Sequence, residues 1–366
     1  MDYTRLISIL KKPPEVGYPV VLPDFFVDHF VVYETLDALI EGLKDLAEQG
    51  GGNLLNNKQF IRKGGNAVNT ASALLSLGLS PKLIVTTDKY GASLLEVLAD
   101  RDLDLSHVHT DGRLSSTVSI ETEYSGRKVN LMVSDSGSAS DFSFSDLTQN
   151  DVDIIKGSGI VALVNLNHNR KGAGLAHDLF QMIKDTSDAE TFMDVGDPSG
   201  NPEIVHQLVK SVVKKGLVDI VGLNENEVGW MVQSLTGDHE RWKDIAVKPE
   251  LWLEGAQFIT NETGVRVDLH TPHFTATIEG DVTTAIPAFV VESRIVCGAG
   301  DAWNAGDIYG SLLKLTPKDR LTLANATASL YVSSPTATHP QLSDIVKYLQ
   351  SAPLLSGDGT KLLKVQ

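Results

Sequence analysis

The sequence predicts an α/β protein: an open, mostly parallel sheet flanked by helices, with a small β lid. Three observations carry that expectation. Short β-branched runs alternate with amphipathic segments along most of the chain. Most of those runs are apolar on both faces, as parallel strands buried between helices are. One stretch, 115–134, instead places apolar residues at every second position, which marks an antiparallel pair.

In chain order the strand candidates are Tyr18–Leu22, Leu83–Thr87, Gly159–Asn165, Thr191–Val195, Leu217–Leu223 and Gln257–Thr260. The segments Asn66–Leu77, Ala173–Lys184 and Glu225–Leu235 have helical spacing, and regular alternation of the two element types implies a covered parallel sheet. Within 115–134, Val118 and Ile120, then Val129, Leu131 and Val133, alternate around Ser125-Gly126, so a hairpin with one covered face is expected. The expected organisation is one domain over 1–366. A hairpin, either a lid over the rim or an edge extension of the sheet, is set into it at about 113–135, with part of 28–62 as a further contributor to a lid. Gln49–Asn57 is the most flexible-looking connection, and SGDGTKLLKVQ at the C-terminus reads as a frayed tail.

A chain of 366 residues can bury one large core. Its formal net charge of −16 argues against a general nucleic-acid binder, which needs a basic surface to neutralise phosphates. No run approaches the ~18–20 apolar residues of a membrane span. The single cysteine, Cys297, excludes an internal disulfide and a multi-cysteine metal site, so a reduced cytoplasm is expected. His168, His206, His239 and His270 are scattered without metal-ligand spacing.

Polar residues follow nearly every strand candidate: Asp24 and Asp28, Asp88, Asn167 and His168, Asp197, Asn224 and Glu225, Asn261 and Glu262. Each alone is ordinary cap chemistry. Together they form one rim beyond the carboxyl ends of the strands, where open α/β sheets bind ligands. Two glycine turns adjoin it. Residues 296–307, VCGAGDAWNAGD, place Gly298, Ala299 and Gly300 between the strand-like Ala288–Val296 and a helical face. Backbone N–H groups at such a helix start favour an anion. Asp301 follows at once; it either caps the helix or accepts a proton beside a site where charge develops. Residues 63–78, KGGNAVNTASALLSLG, add Gly64, Gly65 and an Asn69 amide able to meet a hydroxylated ligand.

GGNAVNTASALLSLG and GAGDAWNAGD resemble the two signatures of the ribokinase-type (PfkB) carbohydrate kinases, in order and at family spacing. The likeness covers nearly the whole chain and implies a ribokinase-like fold. It implies phosphoryl transfer from ATP, with Mg2+, to a hydroxyl of a small sugar. Asp301 would then be the base, with Gly298, Ala299 and Gly300 the anion hole. PDFFVDHFV resembles the strand end that holds sugar hydroxyls and points to Asp28, with Asp24, Gly64, Gly65 and Asn69 beside it. LNENE resembles the family's N-x-x-E element, so Asn224 and Glu227 would order phosphates and magnesium, Glu227 through water. FITNETGV resembles the strand and turn lining the nucleotide (Thr260, Gly264), and LANATASLYVSS the helix beside adenine (Asn325). The hairpin falls where the family keeps its lid, and the likeness extends to a homodimer through it.

The departures lie on the nucleotide side. Where the family writes Asp-Thr-x before Gly-Ala-Gly-Asp, as part of a monovalent-cation site, this chain has Ile295, Val296 and Cys297. A glycine is replaced near Thr336, and TNETG is one residue short of the family's turn. Loss of potassium dependence, an unusual donor, or loss of catalysis would each explain this. The retained turn and Asp301 favour weak or absent potassium activation. The N–H dipoles beside Asp301 are expected to lower its pKa, and Cys297 is expected to be a buried small residue. A nucleoside acceptor is the alternative, with Phe25, Phe26 and Phe30 as cover for a base, and a non-catalytic sugar or nucleotide sensor on this fold is the second. A nicotinamide dehydrogenase is disfavoured because Trp303 stands where the dinucleotide fingerprint needs glycine or alanine, and no P-loop is present.

Overall fold

The computed structural model describes residues 2–238, 240–295 and 297–365. His239 and Val296 therefore lie outside the described residues. The chain opens with α1 (Thr4–Lys11), β1 (Pro19–Leu22), β2 (Phe26–Thr35), α2 (Leu36–Glu48), β3 (Lys58–Gly64) and α3 (Asn66–Ser76). Next come β4 (Lys82–Leu83), β5 (Val85–Thr86), α4 (Lys89–Leu98), β6 (Val108–His109) and the hairpin β7 (Ser116–Tyr124) and β8 (Arg127–Asp135). Regular alternation follows: α5 (Gln149–Lys156), β9 (Ile160–Leu163), α6 (Gly172–Thr186), β10 (Glu190–Asp194), α7 (Glu203–Leu208), β11 (Ile220–Leu223) and α8 (Glu225–Thr236). The C-terminal third holds α9 (Pro249–Thr263), β12 (Arg266–His270), β13 (Phe274–Glu279), β14 (Val282–Pro287), α10 (Ala299–Leu312), α11 (Pro317–Ser333), α12 (Leu342–Gln350) and α13 (Gly357–Val365).

The main sheet has the order β14-β13-β12-β11-β10-β9-β1-β4. From β4 to β12 neighbouring strands pair in parallel; β13 and β14 extend it antiparallel. Because side chains alternate across a strand, one strand feeds two cores. In β9, Val161 and Leu163 join the core under α6–α9, whereas Ile160 and Ala162 join the one under α3, α10, α11 and α12. That explains why the strands read as unbroken apolar runs.

A second sheet, in the order β3-β2-β7-β8, stands beside the first. Its hairpin turns at Ser125 (φ 50°) and Gly126 (φ 74°), the doubly positive turn that suits two-residue hairpins. Its faces are reversed from expectation. Thr117, Ser119 and Thr122 are buried, while Val118, Leu131 and Val133 are 42%, 39% and 67% exposed. The polar alternates are satisfied in cross-strand pairs, Thr117 with Ser134 at 2.9 Å and Ser119 with Asn130 at 2.8 Å, so they can face inward. Helix α2, absent from the sequence reading, packs against β2 and β7.

Four expectations are corrected. Gln257–Thr260 is the last part of helix α9 and not a strand. Trp252, Leu253, Ala256, Ile259 and Thr260 are buried at helical spacing, Pro249 begins the helix, and Gly264 ends it in the left-handed region (φ 74°). Asn261 and Glu262 thus leave the rim. Ala288 to Ile295 runs as irregular chain after β14, joined to the C-terminus by a single bridge from Phe289 to Leu355. The C-terminal segment is not a frayed tail, because α13 starts at Gly357 with the Ser356 hydroxyl accepting from Gly359 N at 3.0 Å. No helix among the described residues is long and apolar enough to cross a membrane.

Candidate active site

The two glycine turns meet. Asn69, one turn into α3, donates from Nδ2 to Asp301 Oδ2 at 3.1 Å, across 232 residues of chain. Helices α3 and α10 pack against each other, both rising from the carboxyl side of the main sheet.

At the start of α10, Gly298 lies in the left-handed region (φ 84°), and a side chain there would strike the Tyr331 hydroxyl. Ala302 is the first residue whose N–H closes a helical bond, to Gly298 O at 3.1 Å. The N–H groups of Ala299, Gly300 and Asp301 stand ahead of it, and no side chain caps the helix. This removes the bland reading of Asp301, whose carboxylate faces Asn69 and does not close its own helix. The turn is braced from behind by Tyr331, whose hydroxyl donates to Cys297 O at 3.1 Å.

Asp301 is 5% exposed, and its pKa is raised well above the ordinary carboxylate value. Burial is the main cause, with Asp194 and Asp24 adding repulsion; Asn69 and Lys63 oppose them. The expected lowering is overturned: lost hydration and like charges raise the carboxyl instead. Cys297 is exposed as a residue, not buried, yet protein surrounds the thiol enough that desolvation first, and Asp301 next, push it up to about 11.

Across the turn lie the residues expected to meet a hydroxylated ligand. Asp24 follows β1 and is almost wholly buried. Its oxygens accept from Asn66 N at 3.0 Å, Ala67 N at 2.8 Å and Asn165 Nδ2 at 2.6 Å. It thus caps α3 and ties it to the loop after β9. Asp28, on β2, packs against Gly64, where a Cβ would fall 2.1 Å from its carboxylate; glycine there is a steric requirement. Burial raises both carboxyls to about 6. Gly65 (φ 90°) leads into α3. Phe26 tilts over His168 at 5.5 Å, and Phe30 stacks on Phe60 at 4.8 Å with the Arg62 guanidinium above the pair.

On the far side, Asn224 and Glu227 form a capping box at α8. Glu227 Oε2 accepts from Asn224 N, and Asn224 Oδ1 accepts from Glu227 N at 3.0 Å. Glu227 is buried, and its pKa is raised well above normal by burial and then by Asp194. Asp194, which ends β10 and accepts from Asn304 Nδ2, was missed in the sequence. An acid closing an apolar buried strand was the available signal.

Three nucleotide-side candidates do not reach this place. Thr260 is buried within α9, and Gly264 precedes β12, at the amino end of a strand whose carboxyl end makes the rim. The correction follows from the helix above. Asn325 is 2% exposed, accepts from Trp303 Nε1 at 3.0 Å and donates towards Pro287 O at 3.5 Å, so it ties α11 to α10. Beyond β12 the rim is instead made by His270, which lies against Trp303 with ring centroids 4.9 Å apart.

The profile of the pfkB family carbohydrate kinases matches residues 43–344. In fold the chain is similar to Arabidopsis thaliana ribokinase complexed with ribose and ATP, at 18% identity and a TM-score of 0.69, covering 92% of this chain and 99% of that one. It is also similar to an adenosine kinase from Sinorhizobium meliloti (15% identity, TM-score 0.65, 92% and 100% covered). Phosphofructokinase-2 from Escherichia coli in complex with potassium matches at 16% identity and 0.64, with the same coverage. No curated protein sequence matches the chain.

Proposed function

This chain belongs to the pfkB family of carbohydrate kinases, and from that premise we propose that it transfers the γ-phosphoryl group of ATP to a hydroxyl of a small sugar. The acceptor oxygen attacks the γ-phosphorus, the bond to the β–γ bridging oxygen breaks, and ADP leaves. Asp301 takes the hydroxyl proton, and the N–H groups of Ala299, Gly300 and Asp301 face the migrating charge. The observation that carries this reading is the bond from Asn69 to Asp301, which joins the acceptor turn to an uncapped helix start. Asp28, Asn69 and the Gly64-Gly65 turn suit sugar hydroxyls. The ribose and ATP bound by the Arabidopsis relative support the substrate pair.

Asn224 and Glu227 are assigned to the nucleotide side, and Asp194 joins them. Among the described residues no group of three or more His, Cys, Asp or Glu could enclose a metal. One or two buried carboxylates with raised pKa values suit Mg2+, which keeps several waters and is shared with substrate phosphates. Glu227, through water, and Asp194 would hold the ion, which supplies charge neutralisation at the phosphates. Potassium activation is expected to be weak or absent, since Ile295, Val296 and Cys297 stand where the family has the Asp-Thr of its monovalent-cation site. Stacked Phe30 and Phe60 favour a nucleoside as the second reading of the acceptor. The exposed Val118, Leu131 and Val133 favour a homodimer through the small sheet, which acts as the lid. The single thiol fits a reduced cytoplasmic setting.

ADP release from Mg-ATP, followed with ribose, fructose and adenosine, with and without potassium, tests the reading. Turnover is expected with a sugar, and Asp301→Asn should lower kcat by about 10³-fold or more while sparing ligand binding. Binding without turnover by the unmodified chain would instead identify a sensor.

A further inference from the structure

Lys63 ends β3, one residue before the glycine that packs on Asp28. Its side chain turns towards α3, and Nζ donates to Asn69 Oδ1 at 3.4 Å. The nitrogen of the same amide donates to Asp301. A carboxamide has one accepting and one donating end. With an ammonium at its oxygen and a carboxylate at its nitrogen, the Asn69 amide has one favourable orientation; flipping it would set like against like at both ends. The titratable groups facing Lys63 come from four parts of the chain: Asp28 on β2, Asp100 after α4, Asp301 on α10, and His339 ahead of α12. Burial pulls the ammonium down to about 8 against the pull of Asp301, Asp100 and Asp28. Burial also pulls His339 down to about 3, so it faces Lys63 neutral.

We propose that Lys63 is a positioning residue for phosphoryl transfer, acting through the Asn69 amide to hold the Asp301 carboxylate charged and aimed across the helix start. This rests on the reading of Asp301 as the base. The reacting centre then carries its own positive charge one amide away from the proton acceptor, in a region otherwise crowded with carboxylates. Substituting Lys63 should therefore act mainly on kcat and on the Asp301 titration, since Asp28 and the Gly64-Gly65 turn still hold the acceptor when the Asn69 amide is loosened.

The test compares the full-length chain with Lys63→Met, Lys63→Arg and Asp301→Asn. The acceptor is whichever of ribose, fructose or adenosine turns over fastest, and a carboxyl-carbon NMR titration assigns Asp301 by its loss in Asp301→Asn. In Lys63→Met, kcat at pH 7 should fall by about tenfold or more with KM within about twofold, and the Asp301 midpoint should rise by about one unit. The unmodified chain should lose rate above pH 8 as Lys63 gives up its proton, and Lys63→Arg should recover most of kcat and remove that loss. An unmoved Asp301 midpoint in Lys63→Met sinks the proposal, whether or not any acceptor turns over. If Asp301→Asn keeps its activity, the base assignment itself fails, which is a separate result.

Discussion

Asp301 and Asp307 lie on the same helix, α10, and both are buried, yet their surroundings differ in charge. Asp307 belongs to a neutralised cluster. Arg320 holds Asp268 with two bonds, Nη1 to Oδ2 at 2.8 Å and Nη2 to Oδ1 at 3.0 Å, and also binds Asp307 and Thr277. Arg266 adds a further contact to Asp268 at 2.9 Å. These partners overcome burial at Asp268 and hold its carboxyl far below its usual range, whereas burial and the neighbouring Asp268 raise Asp307 to about 7 even beside Arg320 and Arg266. Asp301 instead shares its end of the sheet with Asp24, Asp28, Asp194 and Glu227, all with raised pKa values. A fold that can bury paired charge on one side of a helix has set several carboxylates against one ammonium, Lys63, on the other. The carboxylate-rich side matches a site completed by cationic and phosphoryl ligands; the paired side holds α10 and α11 to the sheet.

Substitutions on the two sides should separate these roles. The largest effect on stability is expected from Arg320→Ala, which strands two buried carboxylates and should cost about 3–5 kcal/mol, read as a fall in chemical-denaturation midpoint. An unchanged midpoint would mean the cluster holds nothing together. Asp301→Asn should do the reverse, stabilising the fold by ~1 kcal/mol and raising Tm by about 2 °C, because it removes a buried charge that lacks a full partner.

The pH dependence of stability follows the same division. Asp24 and Asp28 are raised to about 6, above an unfolded value near 3.9, so the folded state binds more protons between those limits. Stability therefore increases as pH falls from above 6 towards 4. Asp268 is depressed, so its contribution is present above about 3.9 and lost below it. Calorimetry should find the highest Tm near pH 4; a maximum at pH 7 or above would contradict the raised carboxyls of the site. Smallest in free energy is Val133→Glu on the exposed face of the small sheet. It should leave Tm within about 1 °C while shifting a sedimenting dimer to monomer, since surface changes typically cost under ~0.5 kcal/mol.

The small sheet and α9 show where sequence reading stops. In β7, alternation was read correctly and its direction wrongly, because Thr117 and Ser119 find hydroxyl and amide partners on β8 that make the polar face buriable. In α9, QFIT looked like a strand because a short apolar run has no period of its own; Pro249 and Gly264, the marks of a helix start and stop, lay outside the window. Tyr331 carried no local signal, because it matters through Cys297 far along the chain, and Lys63 reaches Asp301 only through the Asn69 amide.

The amino-acid order alone determined the parallel core, the family, and the two glycine turns, since these depend on apolar periodicity and on glycines where no other residue fits. Tertiary structure decided which carboxylates are paired, which face of the small sheet is covered, and which way the pKa of Asp301 moves. Those outcomes depend on distances and hydration between elements far apart in sequence, and a one-dimensional pattern does not contain them.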